Sequence, residues 1–85
     1  MPQITVYTTT PCPFCSQAKA LLSKRGARFE EINLDRDADG RAKLVEQTGM
    51  MTFPQVIIDG ELVGGFMELR EADQSGRLRE LLSAA

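Results

Sequence analysis

Apolar and β-branched residues crowd together from Gln3 to Thr8, with Ile4, Val6 and Tyr7 in a run that predicts a first strand. Thr9 to Pro11 reads as a loop. From Pro13 to about Arg25 the apolar positions change period: Cys15, Ala18, Leu21 and Leu22 fall on one face of a helix, Pro13 suits its first turn, and Gly26 can stop it. Arg28 to Leu34 alternates toward its end and predicts a second strand, with Phe29, Ile32 and Leu34 pointing inward. Asp35 to Gly40 is polar and turn-like. Asp37 or Asp39 can cap a helix that runs through Thr48, turns Leu44 and Val45 inward and ends at Gly49. Pro54 to Ile58 predicts a strand, Asp59-Gly60 a hairpin turn and Glu61 to Val63 its return. After Gly64-Gly65, one or two short helices reach Ser83, with an interruption near Ser75-Gly76.

The predicted order is β-α-β-α-β-β-α. Its first half is a βαβ unit, so its two strands are expected to be parallel, joined by a right-handed crossover. A chain of 85 residues buries one modest core, and we read residues 1–85 as a single domain. Composition adds exclusions. The chain is 42% hydrophobic and 26% charged, with a net charge of -2. Acidic and basic residues are interspersed, so bulk electrostatics offers nothing for nucleic acid. No apolar run approaches the ~20 residues that a membrane span needs. The first residues read at once as a strand and not as a signal peptide, so the expected location is cytoplasmic.

The chain holds no His and 2 Cys, which removes Ser–His and Cys–His catalysis. Three readings of the Cys12–Cys15 spacing differ in strength. A structural staple would close a loop too short to restrict the unfolded chain much. A structural zinc site needs four ligands, and this chain offers two thiolates; an iron–sulfur site has the same deficit, which a dimer with external thiols would have to fill. Thiol–disulfide exchange needs only what is present. Cys12 stands where a helix begins, and the free N–H groups and helix dipole there favour a thiolate. Cys15 lies one turn inside, within reach of a mixed disulfide on Cys12, and Pro13 stiffens the turn between them. A C-x-x-C within a βαβ pattern points to redox chemistry for these reasons.

These residues also carry a resemblance. The chain resembles the dithiol glutaredoxins over nearly all of its length. The matching pieces are Val6-Tyr7-Thr8, Cys12-Pro13-Phe14-Cys15, Ala18-Lys19-Ala20-Leu21-Leu22, Thr52-Phe53-Pro54-Gln55, Ile58-Asp59-Gly60 and Gly64-Gly65. The resemblance implies an α/β thioredoxin-like fold, a four-stranded mixed sheet of order 2-1-3-4 with helices on both faces. It implies a cis peptide bond before Pro54. It also implies that Cys12 is the nucleophile and Cys15 the resolving thiol, acting on protein disulfides or glutathione mixed disulfides. Glutathione enters as co-substrate, with no tightly bound cofactor and no metal. Thr9, Cys12, Phe14, Thr52, Phe53, Pro54, Gly65, Phe66 and Met67 would line the glutathione site. Phe53 would pair with the peptide like an added strand, and Gly65 to Met67 would open a helix whose N–H groups can hold a carboxylate. The expected partners are glutathione or another small thiol and disulfide-containing proteins, met by a monomer. Two alternatives stay open here: a dimer bridging an iron–sulfur cluster, against which Pro13 argues within the family, and a redoxin reduced by thioredoxin reductase or another cellular thiol.

Four positions depart from the family pattern. Thr9 stands where many members have Lys, Met50 where Arg is frequent, Met67 where Asp usually reaches the ligand's amino group, and Phe14 where Tyr is commoner. Two cations and an anion are thereby missing, and Met50, Met51, Phe53, Phe66 and Met67 can form a soft apolar rim instead. One further motif competes for attention. Asp35, Asp37, Asp39, Gly40 and Glu46 fit the spacing of a calcium loop. The element before it reads as a strand and not a helix, and Arg36, Arg41 and Lys43 add positive charge, so we read it as a solvated turn with capping Asp residues.

Overall fold

The described part of the chain, residues 2–83 of a computed structural model, follows the predicted order: β1 (Ile4–Thr8), α1 (Pro13–Lys24), β2 (Glu30–Asn33), α2 (Ala38–Thr48), β3 (Gln55–Ile58), β4 (Glu61–Gly64), α3 (Phe66–Ser75) and α4 (Arg77–Ser83). The single domain read over residues 1–85 also includes Met1, Ala84 and Ala85, which lie outside the described residues. The strands form one sheet in the order β2-β1-β3-β4. β1 runs parallel to β2, and the β1–β3 and β3–β4 pairs are antiparallel. This is the mixed sheet of a thioredoxin-like fold.

Register decides what becomes core. Ile4 lies opposite Ile58 and Val6 opposite Val56, so these four side chains share one face of the sheet. All four are buried, and α1 lays Ala18 and Leu22 over them, one helical turn apart. Leu69 of α3 and Leu78 of α4 complete the same cluster. Each side chain of this size contributes roughly 1.5–3 kcal/mol when fully buried. Leu34 and Leu44 are buried outside that cluster. The expectation that Phe29, Ile32 and Leu34 all point one way is corrected here. Phe29 packs against the helix-covered cluster. Strand alternation then puts Glu31 and Asn33 on that face and turns Ile32 and Leu34 to the other.

Local signals set the junctions. α1 stops at Lys24, with Arg25 as its cap. Asp37 caps α2 by accepting the Gly40 N–H at 2.8 Å, and left-handed Gly49 ends it. In the loop before α2, Arg41 donates to the carbonyls of Leu34 and Asp35 at 2.6 and 2.7 Å, so those oxygens already face a cation. Asp59 and Gly60 both have positive φ, 49° and 81°, which suits the two-residue hairpin between β3 and β4. Val56 faces Gly64 while Ile57 faces Leu62, which leaves Val63 as a bulge residue on β4. α3 and α4 are separated at Gly76, in the left-handed region.

One ion pair ties α1 to α3. Arg25 Nε and Nη2 donate to the two carboxylate oxygens of Asp73 at 2.7 and 2.8 Å. The hydrogen bond from Arg25, then its charge, holds the Asp73 carboxyl below its ordinary value of 3.8. A carboxyl depressed by folding stabilises the fold above its unfolded pKa, and that contribution is lost as pH falls through its folded pKa. Asp73→Asn should therefore lower Tm at pH 7, with the gap to the parent chain closing as pH drops below the ordinary carboxylate range. Thermal melts of both proteins from pH 7 to pH 2 check this; a gap that stays constant would remove the ion pair as its cause.

Candidate active site

The site is built where β1 ends. After Thr8 the chain turns through Thr9, Thr10 and Pro11, with a cis Thr10–Pro11 bond, and delivers Cys12 to the N-cap of α1. Cys12 is extended (φ -151°, ψ 93°), and its Sγ accepts the Cys15 N–H at 3.1 Å. Pro13 fills the first helical position, where a missing N–H leaves nothing unpaired. The sulfurs of Cys12 and Cys15 are joined in a disulfide, with their Cα atoms 5.2 Å apart. The two cysteines differ in access: Cys12 is half-buried, whereas Cys15 is 3% exposed. The first turn of α1 carries no acidic side chain to oppose a thiolate at Cys12. Helix amides, helix dipole and access thus all favour Cys12 as the attacking sulfur.

A second wall comes from the far half of the chain. Phe53–Pro54 is a cis bond, and Pro54 is buried. Gln55, also buried, donates its amide to the carbonyls of Met50 and Thr52 at 3.0 and 3.1 Å, which tethers the loop before the proline. Phe14, 53% exposed on the first turn of α1, stacks on Phe66 at the start of α3, with ring centroids 6.0 Å apart. Gly65 lies so close to the Pro54 carbonyl that an added Cβ would stand 3.4 Å from it. Phe14, Pro54, Gly65 and Phe66 are therefore brought together around the redox turn. Thr9 lies toward β2, where it lines a cavity with Cys12 and Cys15. Thr52 and Met67 are exposed and Phe53 is half-buried. Of the apolar rim, Met51 and Met67 are exposed, while Met50, Phe53 and Phe66 are half-buried.

The N-terminus of α3 departs from expectation in one respect. Glu68 accepts the Gly65 N–H at 2.8 Å, so that donor is engaged within the chain. The N–H groups of Phe66 and Met67, the first two helical residues of α3, have no i−4 acceptor within the helix and are donors that α3 can offer a ligand.

The sequence reading missed a polar cluster on the β2 side. Thr8 is 1% exposed, and its hydroxyl donates to Glu31 Oε2 at 2.9 Å. Lys19 Nζ donates to Glu31 Oε1 and Oε2 at 3.0 and 3.2 Å. Asn33 Nδ2 donates to Thr10 Oγ1 at 2.9 Å and approaches Thr8 Oγ1 at 3.3 Å. The hydrogen bond from Lys19, then that from Thr8, holds the Glu31 carboxyl below its ordinary value. The signal that could have found this cluster was parity. Phe29, Glu31 and Asn33 alternate onto one face, so an inward Phe29 carries the other two toward the end of β1 where Cys12 stands.

The chain is similar to a family model, to two relatives and to a solved structure. A family model described as Glutaredoxin matches residues 4–63. Glutaredoxin 3 of Escherichia coli (strain K12) is 39% identical over 82 residues, covering 96% of this chain and 99% of that protein. A glutaredoxin of Pseudomonas aeruginosa is 42% identical over 84 residues, covering 99% and 100%. Among solved structures, a buckwheat glutaredoxin in complex with glutathione superposes with a TM-score of 0.89 at 35% identity, covering 96% of this chain and 77% of that one. The Cys12–Cys15 pair is the redox centre of a thiol–disulfide oxidoreductase, and the chain belongs to the glutaredoxin family.

Proposed function

We propose that the protein reduces glutathione mixed disulfides and protein disulfides as a cytoplasmic monomer, with Cys12 as nucleophile, Cys15 as resolving thiol and glutathione as reductant. The observation that carries the roles is the difference in access between an N-cap Cys12 and a buried Cys15. The Cys12 thiolate attacks a substrate disulfide; one substrate sulfur leaves as thiolate and the other stays bound to Cys12. With a protein disulfide, Cys15 loses its proton, attacks Cys12 Sγ and releases the second substrate thiolate, which takes up a proton; a Cys12–Cys15 disulfide remains. With a glutathione mixed disulfide, the protein thiolate leaves first and a second glutathione regenerates Cys12.

Glutathione would lie across Thr9, Cys12, Phe14, Thr52, Phe53, Pro54, Gly65, Phe66 and Met67. The cis-Pro54 turn, the tethered Thr52 carbonyl and the Phe14–Phe66 stack support this placement, as does the glutathione complex of the buckwheat relative. The neutral side chains at Thr9, Met50 and Met67 point to weaker recognition of the ligand's charged ends and greater tolerance of apolar protein substrates. Met67→Asp should then lower KM for glutathione mixed disulfides about two- to fivefold, the worth of one exposed charge pair. A coupled reductase assay checks this, and an unchanged KM would remove Met67 from the recognition site. Running the same assay against thioredoxin reductase tests the choice of reductant.

A further inference from the structure

The cavity on the β2 side of the disulfide encloses about 390 Å³, and its border includes both cysteines, Thr8, Lys19, Glu31 and Asn33. Lys19 is four residues beyond Cys15 on α1, so the two lie on one helical face a turn apart. Among the residues lining the cavity, Lys19 carries the positive charge and Glu31 the negative one. A free ammonium at that place would favour thiolate in the reduced pair. The Lys19 ammonium is engaged instead: Nζ bonds both oxygens of Glu31 at 3.0 and 3.2 Å. Glu31 is fixed from its other side by the buried Thr8 hydroxyl, 2.9 Å from Oε2. That hydroxyl has a single proton to give, and it goes to Glu31.

We infer that Glu31 is a positioning residue for the redox centre: by holding the Lys19 ammonium against β1 and β2, it withholds that cation from Cys12 and Cys15 and so sets the poise of their dithiol–disulfide couple. The inference rests on Cys12–Cys15 as the redox pair and is independent of where glutathione binds. In the couple, the disulfide takes two electrons and one proton to give a Cys12 thiolate and a Cys15 thiol; two glutathione thiols supply the electrons and become glutathione disulfide. A freed cation stabilises the thiolate and makes the couple more oxidising. A bare carboxylate does the reverse. Two carboxylates on neighbouring segments, Asp35, which accepts the Thr10 N–H at 3.4 Å, and Glu68, bonded to the Gly65 N–H, are unchanged in the variants below.

The test is a pair of variants with opposite signs. Lys19 and Glu31 side chains are 34% and 36% exposed, so either can be replaced without opening the core. Glu31→Gln keeps an acceptor for Thr8 and frees Lys19. It should lower the Cys12 thiol titration, followed by thiolate absorbance, by about half a unit at low salt. It should also shift the equilibrium with glutathione roughly threefold toward the dithiol. Lys19→Met leaves Glu31 uncompensated and should move both readouts the other way by a similar factor. The double variant should return to within about twofold of the parent, because the cycle removes both charges. A purely structural role would change thermal stability without this reversal of sign. If the two single variants shift in the same direction, or neither shifts, Glu31 does not tune the pair.

Discussion

Cys12→Ser should lower turnover by about three orders of magnitude or more toward every disulfide substrate, while Cys15→Ser should keep reduction of glutathione mixed disulfides and lose reduction of protein disulfides by the dithiol route. The asymmetry follows from position. A serine hydroxyl at the N-cap of α1 gains the same helix dipole, but its pKa lies far above that of a thiol, and no His stands anywhere in the chain to take its proton. Serine also cannot form the mixed disulfide on which both routes depend. Cys15 acts only after that intermediate exists. Its sulfur is buried behind Cys12, so an incoming substrate disulfide meets Cys12 first. Parallel assays with a glutathionylated peptide and a protein disulfide separate the two steps. A Cys12→Ser protein that keeps activity, or a Cys15→Ser protein that loses both activities equally, would overturn the assignment of roles.

Gly64→Ala should destabilise the fold by about 2–4 kcal/mol and impair the site along with it. Gly64 closes β4 at φ 122°, a backbone conformation that residues with a Cβ rarely adopt. It is also buried, and a Cβ there would stand 2.9 Å from Glu68 Cβ and Cγ. Glu68 Oε1 is equally close, at 2.9 Å, and its carboxylate end can swing away, but Glu68 Cβ is fixed to the backbone and the positive φ is a property of Gly64 itself, so rotating a side-chain end relieves neither problem fully. Relief requires the β4–α3 junction to move. That junction carries Gly65, whose N–H is bonded to Glu68, and Phe66, whose ring stacks on Phe14. A chain of this size has a total stability of roughly 4–13 kcal/mol, so the loss would be a large share of it. Denaturant unfolding gives the stability, and KM for a glutathione mixed disulfide in the residual folded protein gives the site. Gly26→Ala is the control: Gly26 also has positive φ, 74°, but an added Cβ there meets nothing within 4 Å, so it should cost only the backbone strain.

What the sequence by itself determined is whatever a few neighbouring residues can dictate. Cys12, Pro13 and Cys15 lie within one turn, so their spacing already implies a helix N-terminus and a pair of sulfurs within bridging reach. Asp59-Gly60 needs positive φ at two adjacent positions, and Gly76 interrupts a helix through its own backbone; both are local. The order 2-1-3-4 was legible through the resemblance, since a βαβ pattern followed by a hairpin leaves other sheet orders open. Tertiary structure decided everything that depends on register between distant segments. Glu31 meets Thr8 across 23 residues and Lys19 across 12, and both contacts exist only because β2 pairs with β1 as Val6 to Glu31 and Thr8 to Asn33. A slip of one residue would turn Glu31 to the opposite face. The same holds for the Phe14–Phe66 stack, which joins the start of α1 to the start of α3; the capture of the Gly65 N–H by Glu68, three residues on, is instead a local contact of the helix N-terminus. The redox pair was thus written in the local sequence, while the charges that surround it were assigned by packing.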